Sequence, residues 1–233
     1  MPELADRVTS EGAVQHRAGP SGPRVNLGCG PVMKDDWINV DGSHRAWLVA
    51  QASPLDRLLV RLGLIAPTAF KPSIVYHNLL KPLPWASGSI AAIYAGEVWE
   101  HLRYADAERL TSECYRVLAK GGVLRLCVPD GVEFWRRYLE IFAEEHATAR
   151  PRRRPERLRR HVQMYFDDIC TARNLIMSFG HFHKWQYDEV QLVDLMEQNG
   201  FTEVEREPFL VSRIAGIEAI ERSDFLIVEG VKA

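Results

Sequence analysis

Between residues 24 and 130, short apolar runs alternate with stretches of helical periodicity. RVNLGC (24–29), WINVDG (37–42), IVYHN (74–78), SIAAIYA (89–95) and VLRLCVPD (123–130) have the length and content of strands. WLVAQASPLDRLLVRLGL (47–64) reads as a helix broken near Pro54. DAERLTSECYRVLA (106–119) reads as an amphipathic helix with apolar positions at 110, 114, 117 and 118, ended by Gly121-Gly122. This alternation predicts a mostly parallel, doubly wound α/β sheet covered on both faces. Further on, 132–146, 163–179 and 187–200 read as helices, and 201–207 and 225–231 as closing strands. One domain over 23–233 follows a loose polar tail, 1–22, rich in Gly, Pro and Ser.

Composition excludes several classes. Hydrophobic residues make up 46% of the 233 and charged residues 26%, as in a globular protein. No apolar run reaches the ~20 residues of a membrane helix, and the start lacks the basic-then-apolar pattern of a signal peptide. The four cysteines, at 29, 114, 127 and 170, show no CxxC spacing, so reduced thiols and a cytoplasmic protein are expected. A net charge of −2 predicts no nucleic-acid partner, although ARPRRRPERLRRH (149–161) holds seven arginines. With prolines 151 and 155 in it, that segment reads as a solvated loop or helix face.

Ligands on such sheets bind at the carboxyl ends of the strands. Those ends carry Gly28-Cys29-Gly30, then Asp41, then Asn78, then Glu97, Glu100 and His101, then Asp130-Gly131. Glycines after the first strand let backbone approach a ligand, and a carboxylate ending the second can accept from a ribose diol. A pyrophosphate loop would need GxGxxG. GCGPVMK lacks the third glycine, and Pro31 removes an N–H. The expected cofactor therefore carries adenosine without pyrophosphate.

VNLGCG, INVDGS, HNLLKPLPWASGSIAAIYAGEVWEHL and CYRVLAKGGVLRLCVPD together resemble class I S-adenosylmethionine-dependent methyltransferases, in order and spacing, from about residue 24 to 130. The resemblance implies their Rossmann-like sheet, S-adenosyl-L-methionine as cofactor, and a variable helical cap over the substrate, here 131–187. It also implies that Leu27, Gly28, Cys29 and Gly30 border the methionine part, that Asp41 holds the ribose hydroxyls, and that Asn78 and Leu79 border the adenine. Asn26 and Asn78 stand where that family often has acids.

The segment AGEVWEHL places Glu97, Glu100 and His101 at i, i+3 and i+4. On a helix they would share one side, as a solvated face, a ligand set or an acid–base group. Similar Glu-x-x-Glu-His segments bind a divalent ion, Mg or Mn, in some O-methyltransferases of this family. The resemblance thus implies Glu97, Glu100 and His101 as metal ligands, with a fourth from HFH (181–183). Catalytic candidates are His101, Glu97, His181 and His183. A hydroxyl near pKa ~15.7 lies ~9 units, or ~12 kcal/mol, above histidine. Its proton must leave in concert with methyl transfer, or a metal must lower its pKa. No [DN]PP[YFW] segment of amino-group enzymes and no Pro-Cys of cytosine-C5 enzymes is present.

Methyl transfer to a hydroxyl is the expected activity. NLGCG joined to the HKWQYD segment resembles small bacterial sugar O-methyltransferases of polysaccharide synthesis, such as the methylmannose polysaccharide 1-O-methyltransferases. A carbohydrate or oligosaccharide acceptor is therefore expected, and a homodimer is compatible with it. Two other readings stand beside this one: an RNA methyltransferase using the 149–161 arginines, and a non-catalytic partner subunit that keeps the fold.

Overall fold

The computed structural model describes residues 21–147, 156–166 and 182–233. Seven strands form one sheet: β1 (Arg24–Leu27), β2 (Ile38–Asp41), β3 (Val75–Tyr76), β4 (Ile90–Gly96), β5 (Leu118–Val128), β6 (Phe201–Arg206) and β7 (Leu226–Lys232). Their spatial order is β3-β2-β1-β4-β5-β7-β6. The pairs β1–β2, β2–β3, β1–β4 and β4–β5 are parallel, and β7 runs antiparallel between β5 and β6. This is the mostly parallel sheet expected from the sequence. The winding reverses between β1 and β4, so the carboxyl ends of these two strands flank the crevice where such sheets take ligands.

Five helices are described: α1 (His44–Arg61), α2 (Tyr104–Val117), α3 (Gly131–Ala147), α4 (Glu156–Phe166) and α5 (Glu189–Gln198). Helix α1 bends where Pro54 required it, with non-helical backbone at Ala52 (φ −142°, ψ 46°). Helix α2 buries Ala107, Leu110, Thr111, Cys114 and Val117, a stripe at helical spacing that meets the sheet. There it joins Val25, Leu27, Ile93, Leu124, Leu126 and residues of α5 in the main core. Strand alternation sends Ala92, Tyr94, Val123 and Cys127 to the opposite face.

One expectation needs correction. Gly121-Gly122 do not end a helix before the fifth strand. Strand β5 starts at Leu118 and runs through both glycines, while its register with β4 slips between Ile90 and Ala92. A Cβ on Gly122 would lie 2.8 Å from the Ala119 carbonyl, so this pair serves a strand irregularity. The second face over β4, β5 and β7 is covered by the irregular run 207–225, with a 3₁₀ turn at Ile217–Ala219. Ile214, Ile217 and Ile220 are its buried apolar anchors.

A charged network fastens the same run. Arg125 of β5 is wholly buried and donates to Glu221 through Nε and Nη2, both at 2.7 Å, and to Glu229 of β7 at 2.8 Å. It also donates to the Val211 carbonyl at 2.8 Å. Glu221 accepts from the Leu210 N–H at 2.7 Å, and Glu229 from the Arg213 N–H and the Ser212 hydroxyl. Burial opposes the Arg125 charge, but the two carboxylates outweigh it and raise its pKa.

Residues 1–20 of the expected tail, most of the helix expected at 163–179, and His181 lie outside the described residues. So do residues 149–155 of the arginine segment.

Candidate functional site

The crevice is built first by backbone. Gly28 has φ +61° and Gly30 φ +50°, conformations that favour glycine. A Cβ on Gly28 would stand 2.4 Å from Val98 Cγ2. The turn thus lies directly against the segment that leaves β4. The Leu27 and Cys29 side chains are fully buried, so these residues can offer a ligand only their main chain. Burial, with the Asp41 charge adding to it, pushes the Cys29 thiol up to about 12, which makes it a wall and not a nucleophile. Asn26 serves the turn by donating to the Val32 carbonyl at 3.0 Å.

Asp41 ends β2 beside this turn. One carboxylate oxygen accepts from the Gly30 N–H at 3.2 Å and the other from the Ser43 N–H at 2.7 Å. Each oxygen retains lone-pair capacity for a ligand hydroxyl. The Ser43 hydroxyl caps α1 by accepting from the Ala46 N–H. Past β3, Asn78 is half-buried and turns the chain by accepting from the Leu80 N–H at 2.9 Å. Leu79 packs on the main core. Gly28, Gly30, Asp41, Asn78 and Leu79 therefore stand along adjacent strand ends.

Beyond β4 the structure groups residues differently from the i, i+3, i+4 reading. Only Trp99–His101 form a 3₁₀ turn, and Glu97 precedes it at φ +59°. Glu97 is exposed and accepts from the Ser223 hydroxyl at 2.6 Å. Glu100 points the other way, 1% exposed. The triple Glu97–Glu100–His101 is thus not a shared face, because no α-helix runs through it.

His183 takes the place of Glu97. The run 182–187 lies beside the turn: the Glu100 carbonyl accepts from the Lys184 N–H at 2.7 Å and the Trp185 N–H at 3.2 Å. Tyr187 bridges to Asp130, and its carbonyl accepts from the Gly131 N–H at 2.8 Å. The rings of His101 and His183 meet edge to face, centroids 4.9 Å apart. Ligand atoms of Glu100, His101 and His183 all lie within 4.8 Å of one another.

The electrostatics of this cluster are unusual. Both Glu100 carboxylate oxygens are buried with no hydrogen-bond partner among the described residues. Burial pushes this carboxyl up to about 8, with the Glu97 charge adding to the rise. Burial also pushes His183 down to about 4, so its imidazole is neutral at pH 7. A neutral imidazole can take a proton or ligate a metal. A buried carboxylate without a partner is costly, and a cation beside it would offset that cost. The donor set therefore fits a divalent ion. With two imidazoles and one carboxylate it suits a borderline first-row ion such as Mn or Fe better than Mg, which prefers oxygen.

Residues that sequence reasoning passed over come from the 207–225 run. Ser223 holds Glu97, and Arg222 Nη2 donates to the Cys29 carbonyl at 3.3 Å. The available signal was Arg125, a charge inside the apolar strand VLRLCV, which must find buried partners. Asp130 performs the structural role open to a strand-end acid. It caps α3 by accepting from the Val132 and Glu133 N–H groups. Of the arginine segment, Arg157 pairs with Glu144 of α3 at 2.6 Å, as a solvated helix face would. Cys29, Cys114 and Cys127 are free thiols. No helix among the described residues is long and apolar enough to cross a membrane. A cavity of ≈ 560 Å³ lies at the opposite, amino edge of the sheet, lined by Arg24, Ala92, Ile214 and Gly216 among others.

Residues 26–126 match the family described as a methyltransferase domain. Comparison with curated proteins returned no match. Among solved structures, a S-adenosylmethionine-dependent methyltransferase from Archaeoglobus fulgidus is similar at 13% identity and a TM-score of 0.50, over 92% of this chain and 88% of that one. A S-adenosylmethionine-dependent methyltransferase from Thermotoga maritima, described as a possible histamine N-methyltransferase, is similar at 17% identity and a TM-score of 0.45, over 92% and 83%. The sheet is that of the class I methyltransferases.

Proposed function

We propose that this chain, whose residues 26–126 match a methyltransferase domain family, is an S-adenosylmethionine-dependent enzyme that methylates a hydroxyl group on a carbohydrate or oligosaccharide. The observation that carries the hydroxyl reading is the buried Glu100 carboxyl grouped with His101 and His183 beyond β4. A neutral amine attacks through its lone pair and loses its proton afterwards, whereas a hydroxyl needs its proton taken as it attacks. The cluster offers that. The neutral His183 imidazole can accept a proton as the oxygen attacks. Alternatively, Glu100, His101 and His183 would hold a divalent ion, and the His183 lone pair would then serve the ion and not the proton. Such an ion, when bound, lowers the pKa of a coordinated hydroxyl.

In this reading the chain's residues divide the work. Gly28 and Gly30 admit the methionine part of the donor, and Asp41 accepts from its ribose hydroxyls. Asn78 and Leu79 border the adenine. Glu97, steadied by Ser223, faces the acceptor, and the α3–α4 region forms the acceptor's cover. Trp185 and Phe182, 41% and 40% exposed, flank the cluster and present aromatic faces on which the C–H face of a sugar can rest.

Methyl transfer from labelled S-adenosylmethionine to a panel of mono- and oligosaccharides, amines and RNA tests the proposal. Incorporation into a saccharide, lost in chelator and restored by Mn, is the expected result. Incorporation into amines or RNA alone would overturn the acceptor assignment, and full activity in chelator would overturn the metal. Cofactor binding without transfer to any acceptor would favour a non-catalytic subunit.

A further inference from the structure

The residues 221–223 make three successive contacts with three different parts of the molecule. Glu221 goes into the buried network around Arg125, at 2.7 Å. Ser223 goes to Glu97 at 2.6 Å. Between them Arg222 reaches the glycine turn, where Nη2 donates to the Cys29 carbonyl at 3.3 Å. That carbonyl belongs to the turn that leaves β1, so the guanidinium lies at the crevice between β1 and β4.

Arg222 is an exposed cation with one neutral partner there. No carboxylate among the described residues comes within ion-pair distance of it, while Arg24, Arg45, Arg116, Arg125, Arg136, Arg157, Arg206 and Arg213 each have one. Most of its N–H donors remain for another acceptor. A planar guanidinium held at a cleft by anchored neighbours is suited to a carboxylate taken in two-pronged fashion.

Resting on the cofactor reading above, we infer that Arg222 is the counter-ion for the α-carboxylate of the methionine part, and that the Arg125–Glu221 pair positions it. Asp41 occupies the ribose end of the crevice and the glycine turn lies between, so the amino-acid end of the ligand falls at Arg222. The Glu221 and Ser223 anchors hold the intervening backbone in place before the ligand arrives, which reduces the ordering needed on binding.

The test is calorimetric, with two ligands and three proteins. S-Adenosylhomocysteine carries the carboxylate. Decarboxylated S-adenosylmethionine keeps the adenosine and the terminal ammonium but lacks it. Arg222→Ala should weaken S-adenosylhomocysteine by about 10- to 100-fold, the range for a charged hydrogen-bonded pair, and leave the decarboxylated ligand within about twofold. Arg222→Lys should recover part of the loss, since it restores charge without the fork. Equal losses for both ligands, or no loss for either, would overturn the assignment while leaving the cofactor reading intact. A wild-type protein that binds neither ligand would instead overturn the cofactor reading, and this inference with it.

Discussion

Replacing Arg125 with methionine should be among the most destabilising single changes in this protein. The guanidinium is wholly buried and is shared by two equally buried carboxylates, Glu221 and Glu229. Methionine fills much of the same volume but leaves both acids without their cation and the Val211 carbonyl without its donor. Breaking a buried pair from one side costs about 3–5 kcal/mol, because the stranded charge stays desolvated. For a chain of this size that corresponds to a fall in Tm of roughly 6–20 °C. Urea and thermal unfolding followed by circular dichroism measure it. The control is the triple variant Arg125→Met, Glu221→Gln, Glu229→Gln, in which no charge is stranded. It should regain at least half of the lost stability. A single-variant loss below about 1 kcal/mol would refute the reasoning, because a surface-like pair would then be all that Arg125 makes. A triple variant no better than the single would also refute it.

Gly28→Ala should lower stability by about 1–3 kcal/mol, since φ +61° and a 2.4 Å approach to Val98 Cγ2 both oppose a Cβ. Adding Val98→Ala should restore part of the loss in urea unfolding, and no restoration would mean that the contact is not the cause. Glu100 gives a pH dependence. Its folded carboxyl is raised to about 8 from an ordinary 4.5, so between those values the folded protein holds a proton that the unfolded chain has released. Stability should therefore fall as pH rises through this window, by up to ~1.4 kcal/mol per unit. Glu100→Gln should show a flatter profile in urea unfolding at pH 5, 6.5 and 8, and parallel profiles for the two proteins would contradict the burial argument.

The sheet could be read from the sequence because its strands are buried on both faces and so stand out as apolar runs. Val25, Leu27, Ile93 and Leu126 have no alternative to the core. The turn at Gly28–Gly30 and the acid at Asp41 were legible for a similar reason, as each sits at a fixed offset from such a run. The Glu97–His101 segment was misread in geometry. Spacing implies a shared face only on a helix, and a 3₁₀ turn of three residues preceded by positive φ separates Glu97 from Glu100. The approach of His183 to Glu100 depends on the run 182–187 pairing with Asp130 and the Glu100 carbonyl, contacts between segments more than 50 residues apart that no local pattern encodes. The 207–225 run was equally opaque, because three isoleucines at every third position, 214, 217 and 220, match neither a strand nor a sustained α-helix, and its purpose appears only against the buried face of β4 and β5.

The bond from Arg222 to the Cys29 carbonyl joins points 193 residues apart. On a ribosome, the turn emerges well before its partner at residue 222. A nascent chain halted before residue 221 would possess the glycines and Asp41 yet lack Glu221, Arg222, Ser223 and Glu229. Such a chain can begin to order its first strands, but the crevice is completed only once residues 221–229 have been made. The walls of the crevice thus depend on residues almost two hundred positions downstream of the segment that carries the glycine signature.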